Sequence, residues 1–168
     1  MKKRYFSLVA IMMVCISAFC LLSGCGISTK TFYYSEGFAI TLSEEFSETE
    51  VQGIDYCLSS KNVAVYVQEV TFEELKAQSY APETMSAKHY AEILVSTAGV
   101  VATVDMNEED GYAHFTYKNT VSSTTYSYYS VVKKGSDAFW VCEFACYEAQ
   151  AQNLAKSFER YADSIVVI

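Results

Sequence analysis

The chain has 168 residues, of which 51% are hydrophobic and 15% aromatic, with one proline and a formal charge of −8. That apolar content excludes a disordered stalk. The acidic balance, with no basic patch interleaved with aromatics, excludes nucleic acid as a partner.

Lys2, Lys3 and Arg4 open the sequence, and an apolar run follows over about residues 5–22. A basic start, an apolar stretch and small residues before a cut site describe a secretory signal. Leu22, Ser23, Gly24 and Cys25 close the run, and this tetrapeptide resembles the bacterial lipobox. The resemblance implies a diacylglyceryl group on the Cys25 thiol and cleavage before Cys25 directed by Leu22, Ser23 and Gly24. It also implies a protein held on the extracytoplasmic face of a cell membrane. The competing readings are an uncleaved membrane span, which Ser7, Cys15, Ser17 and Cys20 dilute, and conventional secretion with release. A single acyl chain binds a bilayer marginally, whereas two anchor a protein stably. Residues 1–24 hold three bases and no acid, so their removal takes the remainder from −8 to −11. Anionic headgroups repel such a domain, and lipid must hold it in place of charge. The expected organisation is a signal peptide over 1–24, a lipidated cysteine and short tether over 25–31, and one globular domain over 32–168. Extended, residues 26–31 reach about 20 Å, which keeps the domain close to the bilayer.

Residues 38–42 alternate apolar and small or polar side chains, the period of a half-buried strand, with a further edge strand expected over 32–34. Residues 55–59 and 63–70 form the next two strands around Ser60, Lys61 and Asn62, a hairpin turn. Thr71 and Glu74 read as a capping box that opens a short helix to about Gln78. Pro82 breaks the chain, and Ser86 caps a second helix with Tyr90, Ile93, Leu94 and Thr97 on one face. Gly99 is its natural C-cap. Four strands follow, over 100–106, 112–120, 125–133 and 138–147, with turns at Asp110-Gly111, Ser122-Ser123 and Gly135 to Asp137. A last helix over 149–164 carries the stripe Leu154, Phe158, Tyr161 and Ile165.

This order predicts an α+β fold: an α/β/α-type sandwich with about three helices around a single antiparallel meandering sheet of six to eight strands. The stretch from Gly37 to Phe46 resembles the opening strand and turn of PsbP-like sandwich domains, to which DcrB-like lipoproteins are related. Residues 86–94 are similar to that family's capped mid-chain helix, and residues 158–165 to its closing helix. Ser43 stands where the family commonly has proline. The resemblance covers 32–168 and implies extracytoplasmic binding or assembly rather than catalysis. It carries over no functional residue.

Cys142 and Cys146 lie about 13 Å apart along one strand, too far to bond each other. Buried thiols, or a disulfide from Cys57 to Cys142 or Cys146, are the two readings of these residues. His89 and His114 have no carboxylate at a telling spacing. Ser130 and Lys133 match S-x-x-K literally, but an odd offset on a strand sends them to opposite faces. The acidic turn over 105–111 misplaces its glycine for a calcium loop and has Thr116 where that loop needs glutamate. No cofactor or metal is expected. The tyrosines remain, with Tyr66, Tyr117, Tyr126 and Tyr128 as the candidate binding surface. The expected function is therefore a membrane-anchored, non-enzymatic module that binds an unidentified envelope protein. The alternatives are a small-ligand or glycan-binding accessory module and, behind it, an envelope hydrolase.

Overall fold

A computed structural model describes residues 28–168. Two short strands open it: β1 (Thr29–Tyr34) and β2 (Phe38–Ser43) form a hairpin. A short β3 (Ser47–Glu48) leads through a loop to β4 (Tyr56–Ser59) and β5 (Val63–Thr71). Helix α1 (Phe72–Lys76) starts at Thr71, where the expected capping box forms: the Thr71 hydroxyl accepts the Glu74 N–H, and the Glu74 carboxylate accepts the Thr71 N–H. A 3-10 turn (Pro82–Thr84) precedes α2 (Ala87–Ala98), capped by Ser86 and closed by Gly99 at φ 65°. Then come β6 (Asp105–Asn107), β7 (Tyr112–Val121), β8 (Thr124–Lys134), β9 (Ala138–Tyr147), α3 (Glu148–Asp163) and β10 (Val166–Val167).

The α+β sandwich stands, but its strands divide between two sheets. A seven-stranded antiparallel sheet has the order β3-β4-β5-β9-β8-β7-β6, and β1, β2 and β10 form a second sheet of three. The large sheet is not one continuous meander. Its two hairpin halves meet at the centre, where β5 pairs β9 along the whole of β5. The small sheet stays apart because Phe32, Phe38, Ile40 and Leu42 all point inward and pack on the large sheet, together with Phe158, Tyr161 and Ile165 at the end of the chain. Joining the large sheet's edge would have stranded that apolar row in water. Ser164 locks the arrangement: its hydroxyl accepts the Thr41 N–H and reaches the Thr41 carbonyl.

The layers are therefore α1 and α2, then the large sheet, then α3 beside the small sheet. The α3 stripe falls as its spacing predicts, with Phe158, Tyr161 and Ile165 buried and Leu154 packed against them. Two expectations shift. The strand expected over 100–106 pairs only at Asp105–Asn107. Residues 100–104 instead cross from α2 to the sheet, and their alternation serves to pack Ala102 and Val104 beneath the helix. On α2, Tyr90 is buried and Ile93 and Leu94 pack inward, but Thr97 is exposed with the rest of the final turn. Ala87 and Ala91 complete the buried face in its place.

Candidate functional site: a tyrosine patch over a buried glutamate

Alternation along β5, β7, β8 and β9 turns one set of side chains toward the α2 layer. Near α2 this set is apolar: Val70, Ala113, Phe115, Val132, Phe139 and Val141. Beyond the helix it changes character. One row across the sheet reads Tyr66, Glu143, Ser130 and Phe115, and the next reads Ala64, Ala145, Tyr128 and Tyr117. A third pairs Tyr147 with Tyr126 and Tyr126 with Asn119. Ala64 and Ala145 are small, and the ring of Tyr128 fills the space they leave: the three form one buried cluster roofed by Tyr66, Tyr117 and Tyr126. All four tyrosines singled out in the sequence thus converge. Among the described residues no helical one belongs to the cluster, though Tyr117 also packs against the core beneath α2, so the rings themselves cover most of this part of the sheet. Tyr117 stacks on Tyr128 at 4.7 Å and Tyr126 on Tyr147 at 5.3 Å. Tyr128 is buried, whereas Tyr66, Tyr117 and Tyr126 are half-buried.

Beneath the patch lies Glu143, which sequence reasoning missed. Its Oε1 accepts hydrogen bonds from Ser130 at 2.7 Å and Tyr117 at 2.9 Å. Burial pushes the Glu143 carboxyl above the ordinary carboxylate range, and those two hydrogen bonds pull partly against it. Burial, then the charge of Glu143, raises Tyr117 and Tyr128 in turn. The available signal was one acidic residue in the run from Phe139 to Ala145, a strand otherwise apolar on both faces.

An open cleft of about 660 Å³ adjoins the patch. Ala98 at the end of α2 and the residues after it (Gly99, Val100 and Val101) form one wall, and Tyr117, Asn119 and their neighbours on β7 form the other. The edge of β7 beyond His114 has no strand beside it among the described residues.

The other singled-out residues fall elsewhere. Cys57 faces the tyrosine side, opposite Tyr66, whereas Cys142 and Cys146 face the α3 side, opposite Val67 and Val63. Strand β5 also separates β4 from β9, about 9.6 Å at two inter-strand spacings. A disulfide needs Cα atoms within about 7 Å, so the bridge from Cys57 to Cys142 or Cys146 does not form. Burial pushes the Cys142 and Cys146 thiols up, away from the reactive thiolate. Ser130 and Lys133 part as expected: Ser130 holds Glu143, while Lys133 donates to the Ile165 carbonyl at 2.6 Å on the opposite side. His89 sits exposed on α2 near Glu92. His114 lies against the rings of Tyr112 and Tyr129, on the far face from Glu143. Asn107 ties the acidic turn by accepting the N–H groups of Glu109 and Asp110. Leu22, Ser23, Gly24 and Cys25 lie outside the described residues. Among the described residues no helix is long and apolar enough to cross a membrane.

No protein-family model matches the chain, and no curated protein matches it. Solved structures do. The cyanobacterial PsbP of Synechocystis superposes with a TM-score of 0.55 at 11% identity, over 89% of this chain and 98% of its own. The fold is PsbP-like. A yeast Ran-binding protein, Mog1p, shares this PsbP-like arrangement with a TM-score of 0.54 at 11% identity, over 84% of this chain and 96% of its own. A Bacteroides thetaiotaomicron protein matches with 0.52 at 9% identity, over 78% of this chain and 45% of its own. At these identities the likeness concerns the fold.

Proposed function

We propose that this chain is a lipid-anchored, non-enzymatic binding module of the extracytoplasmic membrane face, which engages another envelope protein through the tyrosine patch. The observation that carries the reading is the convergence of Tyr66, Tyr117, Tyr126 and Tyr128 in one cluster that holds no helical residue among the described residues. Aromatic rings with polar tips supply large contact area at low entropic cost and concentrate the energy of protein interfaces. Glu143, Ser130 and Tyr117 hold the floor of the patch in one geometry, so the rings are presented preorganised. A neighbour of the same fold is described as Ran-binding, and protein recognition is thus compatible with the scaffold. The glycan alternative draws on the same rings, but Tyr117, Tyr128, Tyr126 and Tyr147 each spend one face on stacking within the patch. The hydrolase alternative gains nothing from the two histidines, neither of which meets Glu143.

Anchoring at Cys25 raises the local concentration of membrane partners. Replacing Cys25→Ser should abolish acyl labelling and leave an unprocessed precursor, and normal maturation of that variant would remove the anchor from the reading. For the patch, a photo-crosslinking residue at Tyr126 or Tyr66 should give one discrete adduct in intact cells, while the same residue at Glu108 in the acidic turn gives none. Equal labelling from all three positions would count against recognition by the patch.

A further inference from the structure

The small sheet turns its inner face to the core and its outer face to solvent. Across that outer face Tyr33 pairs Ala39, and Ala39 pairs Val166, so the three strands contribute one continuous apolar row. Tyr33 is 72% exposed and Val166 59%, with Ile168 beside them at 72%. Thr31 and Thr41 form the next row, joined through their hydroxyls at 2.9 Å. Neither row places a charged side chain on this face. An exposed apolar row on an acidic domain calls for an occupant.

The chain itself points to one. Strand β1 begins at Thr29, and three residues separate it from Cys25. Four residue steps span at most about 14 Å. If Cys25 carries its acyl chains in the bilayer, the start of β1 lies within about 14 Å of that anchor, which brings the outer face of its sheet within reach of the lipid surface. We infer that the outer face of the small sheet, with Tyr33, Ala39 and Val166, rests on the lipid surface. The inference depends on the anchor proposed above. Tyrosine is a residue of the membrane interface, where its ring meets acyl chain and its hydroxyl meets water. The contact is apolar and needs no anionic lipid, in keeping with the charge of −11 on the chain from Cys25 onward. It also orients the molecule. The tyrosine patch occupies the opposite face of the large sheet from the small sheet, so docking one against the bilayer turns the other away from it.

The test is depth measurement by nitroxide labels in zwitterionic phosphatidylcholine vesicles. Cys57, Cys142 and Cys146 are buried, so a label introduced at V166C or Y33C reports its own position, and S123C in the β7–β8 turn serves as reference. On the acylated protein, labels at 166 and 33 should become more accessible to oxygen and several-fold less accessible to a nickel chelate, with position 123 unchanged. Equal nickel access at all positions would overturn the docking. Dipolar broadening between labels at 166 would overturn it in favour of a second copy on the same face. The mass of the Cys25 peptide, read on the same sample, separates this result from failure of the anchor. Should Cys25 prove unacylated, the anchor falls, and the docking that depends on it falls with it.

Discussion

On the α3 side of the large sheet, Phe144 lies 5.3 Å from the ring of Phe158, 6.1 Å from Tyr161 and 6.2 Å from Tyr129. One residue earlier, on the other side of the same strand, Glu143 is buried with two hydroxyl donors. The first face is closed by a helix and a second sheet. The second is closed by α2 only part-way and finished with tyrosines. Adjacent residues of β9 thus serve different ends: one side stabilises the fold by apolar burial, and the other gives up some of that burial to hold a polar, half-open surface.

The sharpest way to break the contrast is to cut each side in turn. Phe144→Ala removes a fully buried ring from the centre of the larger core. It should cost about 3–5 kcal/mol by urea denaturation. A much smaller loss would mean that the α3 side is loosely packed and the two faces are not as different as drawn.

Glu143→Ala strands the hydroxyls of Ser130 and Tyr117 and should cost about 1–3 kcal/mol. Glu143→Gln tests the charge alone. Because burial raises the Glu143 carboxyl above its ordinary value of 4.5, its contribution to stability is full below pH 4.5 and declines as pH rises through its folded value. The glutamine does not ionise. Glu143→Gln should therefore be more stable than the native protein at neutral pH, with the gap closing as pH falls toward 4.5. A gap that widens in acid would show that the carboxylate is the form the patch favours.

How much of this was legible follows the same division. The α3 stripe and the caps at Thr71, Ser86 and Gly99 are local patterns, each set by residues within a turn or two, and the structure keeps them. The split into two sheets was not legible. It depends on β2 pairing with β10, more than a hundred residues away, and a two-residue strand such as Val166–Val167 has no period to read. The strand expected over 100–106 failed because alternation reports which side chains are buried but not against what. Ala102 and Val104 are buried under α2 instead of in a ladder. Parity placed Tyr126 and Tyr128 on one face of their strand, but the convergence of the four tyrosines from β5, β7 and β8 required the register. Glu143 went unread because an acidic residue within a strand signals exposure unless its neighbours on the other strands are known. The same gap in knowledge left Cys57 as a partner for Cys142 or Cys146, when parity across β5 sets it on the opposite side.

The smallest expected effect separates folding from recognition most cleanly. Tyr126 is half-buried near the start of β8 and stacks on Tyr147 at the end of β9. Losing an aromatic pair beyond its buried area costs about 0.5–1.5 kcal/mol, and Tyr126→Ala should fall at the low end because water already reaches the ring. If the patch binds a partner, the same substitution removes a ring from the contact and should weaken binding far more than it weakens the fold, since interface energy concentrates in such anchors. Phe144→Ala gives the opposite ratio. Any binding it loses should follow the unfolded fraction and return in conditions that restore the fold, whereas the loss in Tyr126→Ala should persist in fully folded protein. Measuring affinity and stability on both variants under one set of conditions decides whether the tyrosine face is a recognition surface or a second, wetter core.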